Sequence, residues 1–407
     1  MRHTGREYDV AVVGLGPSGL ATALALAHVG AEVVAVGAAP ASSEARAPET
    51  RTAALLTSSV DLLKALGVWQ ALEPQAAPLR AVRIIDASTS LIRAPDIEFA
   101  ASELGLPALG YNIANTRLAE ALFARAQDVL PEVVVGSVSQ AVIAEDKVVL
   151  KLSDGAPLSA RLVAGADGRN SICRKAAGIG ASERRYDQAA LASSFSHARP
   201  HDGVSTELHR EDGSVTTVPL PEPNSSALIW LEKPGEIARL MRLDAERFAD
   251  TLSRRLEGLL GPISNIGPRA EFPVAGLVAD SLAAKRITLV GEAAHILPPI
   301  GAQGLNLGLR DAASLADCVA AALRARRDPG GEDVLEAYRQ SRRLDVMSRA
   351  YGVDLLSRSL LTSLPPLQAA RGLVLHGLKA LPPLRRAVMR VGLEPPTALP
   401  SLMRPLA

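Results

Sequence analysis

Aromatic side chains make up only 3% of the 407 residues, so the core has to be built from alanine, leucine and valine. Cysteine is scarce as well. Cys173 and Cys318 lie far apart and show neither metal-ligand nor redox spacing, which fits a reducing compartment. The seven histidines form no ligand set, and the four-residue spacing of His197 and His201 is spoiled as a helical pair by Pro200. A net charge of +1 leaves no basic footprint for nucleic acid and no charge excess of the kind that keeps chains disordered. Internal repeats and low-complexity linkers are also missing. One uncharged run, Val10–Ala27, has membrane-spanning length, but Gly14, Gly16, Pro17 and Gly19 break it into strand, turn and helix. No charged leader with a cleavage site precedes it, so the expectation is a buried element of a cytoplasmic protein.

What is present reads as an α/β fold. Tyr8–Val13, Ser18–Val29 and Glu32–Val36 form a strand–helix–strand unit of the right-handed parallel kind. A helix is predicted over Ser58–Leu66, ended by Gly67, and another over Arg117–Asp128. Strands follow near Val133–Val135, Val148–Leu152 and Leu162–Ala164. The pattern then changes to strand-like alternation at Ser205–His209, Val215–Pro219 and Ala227–Glu232, with turns at Asp212-Gly213 and Pro223-Asn224 and a helical run at Ala245–Leu256. At Arg286 the chain returns to the first lobe, and it ends in helices. The expected organisation is a Rossmann-type nucleotide-binding domain from 1–80, 113–186 and 276–330. A mostly antiparallel β substrate lobe (81–112 and 187–275) is inserted into it, and a helical segment covers 331–407.

Three stretches carry chemistry. Gly14-Leu15-Gly16-Pro17-Ser18-Gly19 follows a strand and opens a helix, the context of a dinucleotide pyrophosphate site. Its usual partner, an acid ending the second strand, is replaced by Gly37. Losing that hydrogen bond to ribose costs about 1–3 kcal/mol unless Glu44 or Glu49 reaches in from the next loop. Arg51, just before a helix, suits either a solvated surface or a contact to pyrophosphate or a flavin edge. The second stretch, Gly165–Arg174, places Asp167, Gly168, Ser171 and Arg174 between a strand and a helix. There Asp167 can hydrogen-bond a ligand at the strand's carboxyl end, and Arg174 can neutralise phosphate or fix the turn. In the third, the strand Ile287–Val290 runs into Gly291 and Glu292, then a Pro298-Pro299 turn and a Gly301-Ala302-Gln303-Gly304 loop. The loop opens onto a helix near Leu305 and suits a flat polar ring with negative charge.

These residues together make the chain resemble the class A flavoprotein monooxygenases, the single-component FAD aromatic hydroxylases. The three motifs match in order and spacing, and Arg51 and Asn115-Thr116-Arg117-Leu118 fit as well. Pro298–Leu307 is similar to the para-hydroxybenzoate hydroxylase pattern. Gln303–Asp311, Leu62–Trp69 and the tail Arg371–Leu393 resemble the ubiquinone-biosynthesis hydroxylases, so the likeness covers nearly the whole chain. It implies a para-hydroxybenzoate hydroxylase-like FAD domain. Cofactor contacts would come from Gly14, Gly16, Pro17, Ser18, Gly19, Arg51, Asn115, Asp167, Gly291, Glu292, Pro299, Gly301, Ala302, Gln303, Gly304, Leu305 and Asn306. The chain departs from the family in having Gly37 for an acid and Glu292 for an aspartate that holds the ribityl chain. Glutamate carries its carboxylate about one bond, roughly 1.5 Å, further out.

The activity implied is reduction of bound FAD by NADH or NADPH, then reaction with O₂ to a flavin C4a-hydroperoxide that hydroxylates a phenolic ring. Pro299 and Gly301 are the loop positions expected beside the flavin, and the Gly301–Asn306 N–H groups would stabilise negative charge on it. No acid or base is assigned. His295 serves either as a packed structural residue or as a base, and His209 is the other pocket candidate. The expected substrate is a polyprenylated ubiquinone precursor. Three other functions share some of these motifs: hydroxylation of a soluble aromatic, a flavin-poor scaffold subunit of a quinone-biosynthesis complex, and a nicotinamide dehydrogenase, against which the Gly291–Asn306 loop argues. Leu355–Ala407 holds seven Lys/Arg against the single acid Glu394, and Leu384, Val388 and Val391 share a helical face. That segment either caps the core or docks on the inner membrane or a partner protein.

Overall fold

The computed structural model describes residues 7–40, 50–88, 95–210, 212–299, 301–361 and 374–405. Its first sheet runs in the order Ala283–Ala284, Ile287–Leu289, Pro157–Gly165, Glu7–Val13, Val33–Gly37, Glu132–Val135. The four pairings from Ile287–Leu289 to Glu132–Val135 are all parallel, and Val138–Ile143 with Val148–Leu152 extends Pro157–Gly165 as an antiparallel ribbon. Parallel strands need cover on both faces, and the sequence supplies it: Val10–Val12 and Val33–Val36 are fully buried. The helix Pro17–His28 is buried along nearly its whole length because it is wedged against Gln303–Arg324 and Asn115–Val129. Its small residues let those helices approach.

Register decides where the motifs meet. Val13 pairs with Val36 and with Gly165, and Gly165 pairs in turn with Leu289. Gly14, Gly37, Ala166 and Val290 therefore leave the sheet side by side at its carboxyl edge, where ligands bind in open α/β sheets.

The second sheet has nine strands, with Ala181–His197 at its centre between Ala270–Ala279 and Ser225–Glu232. Its pairings are antiparallel except for Val204–Arg210 beside Ala81–Asp86. Helices Pro234–Arg242 and Ala245–Arg255 cover one face, burying Ile237, Leu240, Phe248 and Leu252 with Phe195, Leu228 and Trp230. The two sheets are joined at the third motif: His295–Ile296 pairs with Leu277 and Val278 at the edge of the second sheet. A three-stranded sheet of Thr52–Leu56, Ala77–Leu79 and Gly110–Ala114 lies between the segments.

The helix Glu332–Leu361 packs on Gln303–Arg324. After it, Pro382–Leu393 buries only Met389 and leaves Leu384, Val388 and Val391 exposed. Among the described residues no helix is long and apolar enough to cross a membrane, and no group of His, Cys, Asp and Glu is placed to hold a metal ion.

Candidate functional site

The glycines at the carboxyl edge divide into two kinds. Gly14 has φ +120°, and a Cβ there would lie 2.1 Å from the Ala166 carbonyl oxygen; one on Gly19 would lie 2.0 Å from the Gly14 oxygen. These two are demanded by packing. Among the described residues, no atom beyond the adjoining backbone lies within 4 Å of the Cβ position of Gly16, and the same holds for Gly304. Both are open faces where a ligand can approach the main chain. Gly16 caps the helix Pro17–His28 and Ala302 caps Gln303–Arg324, neither with a side-chain hydrogen bond. Two helix N-termini thus present uncapped N–H groups and positive dipole ends toward one edge of the sheet. A pyrophosphate and an electron-rich ring fit that pair of donors.

Motifs one and three touch directly. The Ser18 Oγ lies 2.9 Å from the Cβ position of Gly291 and 2.5 Å from that of Gly308, so a side chain at either glycine would force Ser18 to move. The Gly291 N–H is not open to a ligand, because it donates to Asp311 Oδ2 at 3.0 Å. Gly301 and Ala302 both adopt left-handed backbone, φ +64° and +54°, which turns the chain sharply into the helix. The Gln303 amide closes this turn by donating to the Gly301 carbonyl at 2.9 Å. Pro298 is buried, whereas Pro299, Gly301, Ala302 and Gly304 are exposed and Leu305 is half-buried.

Several expected ligand contacts are engaged by the protein itself. Asp167 accepts from Ser171 Oγ at 2.6 Å and from the N–H groups of Ile172 and Cys173 at 2.7 and 3.0 Å. It holds the N-terminus of the helix Ile172–Ala177. Arg174 fixes the turn, the second of its two expected roles, donating to Ala293 O at 2.8 Å and Arg169 O at 2.7 Å. That bond ties the second motif to the third. Asn306 is fully buried and complete: it donates to Ala54 O and Ala302 O and accepts from Leu56 N, so its side chain fastens the strand Thr52–Leu56 to the helix start. Arg51 is exposed, its guanidinium 4.7 Å from the centre of the Phe272 ring, reaching from the first lobe to the second sheet. Asn115 is half-buried at the start of its helix, and its N–H donates to the Arg51 carbonyl. Glu292 is exposed within the turn Gly291–Ala293, so its carboxylate faces outward beside the open loop. Gly37 packs hard on the first motif, its Cβ position 2.7 Å from Leu15 N. Glu44, Glu49 and Ile300 lie outside the described residues.

His295 is 2% exposed and packed; its Nε2 lies 2.6 Å from Asp311 Oδ2. Sequence reasoning missed what surrounds it. Arg342 Nε donates to Asp311 Oδ1 at 2.8 Å, and Arg342 and Arg310 both face Asp345 Oδ2, at 2.8 and 2.9 Å. Burial opposes ionisation of Asp311, yet His295, Arg342 and the Gly291 N–H together hold its carboxyl well below the usual range. Burial pulls Arg310 down to about 10 despite the facing Asp345. His209, the other pocket candidate, lies in the second sheet 3.3 Å from Glu207.

The fold and the edge define a nucleotide-binding protein of the flavin-domain class. The chain belongs to the family described as FAD binding domain, which matches residues 7–350. It is 33% identical over 398 residues to "Ubiquinone hydroxylase UbiL" of Rhodospirillum rubrum, covering 95% of this chain and 91% of the relative. It is 32% identical over 396 residues to the "3-demethoxyubiquinol 3-hydroxylase" of Escherichia coli, covering 96% and 99%. Among solved structures it is similar to the p-nitrophenol 4-monooxygenase PnpA of Pseudomonas putida (TM-score 0.76, 20% identity, 96% of this chain and 99% of that one). It is also similar to the Diels-Alderase PyrE3 (TM-score 0.73, 21% identity, 96% and 81%). Two such different chemistries on one backbone mean that the structural likeness speaks for the fold alone.

Proposed function

We propose that the protein is an FAD-dependent monooxygenase of ubiquinone biosynthesis that hydroxylates the phenolic ring of a polyprenylated precursor, using NADH or NADPH and O₂. The observation that carries the reading is the convergence of three motifs on one sheet edge, with Gly16 and Gly304 left open between two uncapped helix N-termini. Relatives that align over nearly the full chain and are named as quinone-ring hydroxylases support the substrate class. Bound FAD would supply the redox chemistry that activates O₂, one oxygen entering the ring and the other leaving as water. The chain's own part is binding, orientation and exclusion of water. The Gly16–Gly19 turn takes the pyrophosphate, and Glu292 takes ribityl hydroxyls. The N–H groups from Gly301 to Leu305 hold negative charge on the ring at a helix N-terminus. Pro299 and Gly301 set the loop wall beside the reacting ring. We assign the exposed Leu384, Val388 and Val391, with Arg386 and Arg390 on the same helix, to peripheral contact with the membrane that holds a prenylated substrate.

The test uses the purified full chain, FAD, NADH or NADPH, and a prenylated phenol under ¹⁸O₂. The expected product gains one ¹⁸O in the ring. Reduced nicotinamide consumed with only H₂O₂ released, across prenylated and unprenylated phenols alike, would overturn the assignment.

A further inference from the structure

Arg349 occupies a position that the reaction as described leaves unexplained. It lies on the helix Glu332–Leu361, and its side chain is only 10% exposed. One terminal nitrogen donates to Gln303 Oε1 at 3.0 Å and to Gly392 O at 2.8 Å. The other donates to Val391 O at 3.0 Å and Glu394 O at 2.6 Å, and Nε faces Asp345 Oδ1 at 3.5 Å. The carbonyls belong to the C-terminus of Pro382–Leu393, where helix carbonyls are left without partners and the dipole is negative. The other acceptors lead inward. Gln303 closes the turn on Gly301. Asp345 leads through Arg342 to Asp311 and so to the Gly291 N–H. One guanidinium therefore touches the loop directly at Gln303 and the end of an outer helix, and is linked to Gly291 only through Asp345, Arg342 and Asp311. The other end of that helix is fixed elsewhere, by Arg385 on Glu103 at 2.9 Å.

We propose that Arg349 is a positioning residue that couples the seating of the helix Pro382–Leu393 to the conformation of the Gly291–Asn306 loop, so that the seated helix sets the loop for FAD. This rests on the reading that the loop holds FAD. Planar, five-donor geometry is needed, because lysine cannot satisfy four oxygens on two elements at once.

The test is a cycle on the full chain, reading FAD affinity by flavin fluorescence and the melting temperature of the FAD-free protein. Arg349→Met is expected to weaken FAD binding about tenfold and, because four charge-assisted bonds are lost, to lower FAD-free melting by a few degrees as well, so that the cycle with Arg385 rather than the melting temperature carries the decision. Arg385→Met, which frees the far end of the helix, weakens FAD binding in the wild-type background but adds nothing in the Arg349→Met background. Arg349→Lys falls between wild type and Arg349→Met, and it serves if the methionine variant does not fold. Wild-type FAD affinity in either Arg349 variant overturns the inference, as do additive effects of the Arg349 and Arg385 changes. A wild-type chain that takes up no FAD overturns the functional reading and this inference with it. Wild-type uptake with an unaltered Arg349→Met variant overturns the inference alone.

Discussion

Asp311→Asn isolates the buried charge network from everything around it. Asparagine keeps the volume, so no cavity forms, and it keeps an oxygen for the Gly291 N–H. It loses the negative charge facing His295 and Arg342, and with its oxygen kept for Gly291 and His295 its amide donors point at the Arg342 guanidinium. Asp311 is fully buried and Arg342 is 1% exposed, so water cannot replace the lost partner. Removing one member of a buried pair costs about 3–5 kcal/mol. At roughly 1.2 °C per kcal/mol for a chain of 407 residues, the melting temperature should fall by about 4–6 °C in far-UV circular dichroism. The control is Glu236→Gln, which breaks a 2.6 Å pair with Arg239 on an exposed helix face and should shift melting by about 1 °C or less. The pH dependence follows from the direction of the shift. Folded Asp311 is held below its ordinary 3.8, so its contribution is complete above that value and is lost as pH falls through the folded value. The gap between wild type and variant is therefore constant near neutrality and closes in strong acid. A variant that melts within 1 °C of wild type at neutral pH would refute the reasoning.

The two kinds of glycine predict opposite phenotypes. Gly14→Ala drives a methyl into the Ala166 carbonyl and should abolish soluble, cooperatively melting protein, whereas Gly16→Ala should melt like wild type yet bind FAD markedly more weakly. Wild-type FAD affinity in Gly16→Ala would remove that glycine from the site. The two departures from the family also separate. Glu292→Asp, at an exposed position, should leave FAD-free melting unchanged and tighten FAD binding, as read by fluorescence titration. Gly37→Asp should lower the melting temperature and fail to tighten FAD, because its Cβ would sit 2.7 Å from Leu15 N. Tighter binding in Gly37→Asp at unchanged stability would contradict the packing argument.

Many strands and helices were legible because their signals are local, but the central strand of the second sheet, Ala181–His197, and its neighbour Ala270–Ala279 were not. Val33–Val36 reads as a strand buried on both faces, and Val215–Pro219 alternates between buried and half-buried residues. The loop before Gln303 was legible from its glycines and prolines. The buried network was not, and the reason is physical. Arg342, Asp345 and Arg349 recur at helical spacing, and a row of charges on a helix reads as a solvated face. Here the row turns inward, because the helix Gln303–Arg324 presents Arg310 and Asp311 from inside its own buried surface. Only the packing of two consecutive helices against each other makes those charges partners. Asp167 and Asn306 illustrate the same limit. Their residue types suit a ligand, but the main-chain groups that satisfy them become visible only once the turns are built.

Such internal engagement bears on the weak points the sequence exposed. A site that relied on Asp167 or Asn306 for ligand contacts would need those side chains free of protein partners. Here these side chains use their hydrogen bonds to hold the edge, and under the proposed function the open backbone at Gly16 and Gly304 would meet the ligand. Rigidity of that kind lowers the ordering cost of binding. It makes a missing acid at Gly37 tolerable, since one exposed hydrogen bond to ribose is a smaller loss than a loosened turn. The same reasoning places the sensitivity of the site at its supports: Arg174 on Ala293, Asp311 on Gly291 and Gln303 on Gly301 each fix one corner of the loop. FAD affinity should therefore respond more to those three contacts than to Gly37, a ranking that titration of single variants can reverse.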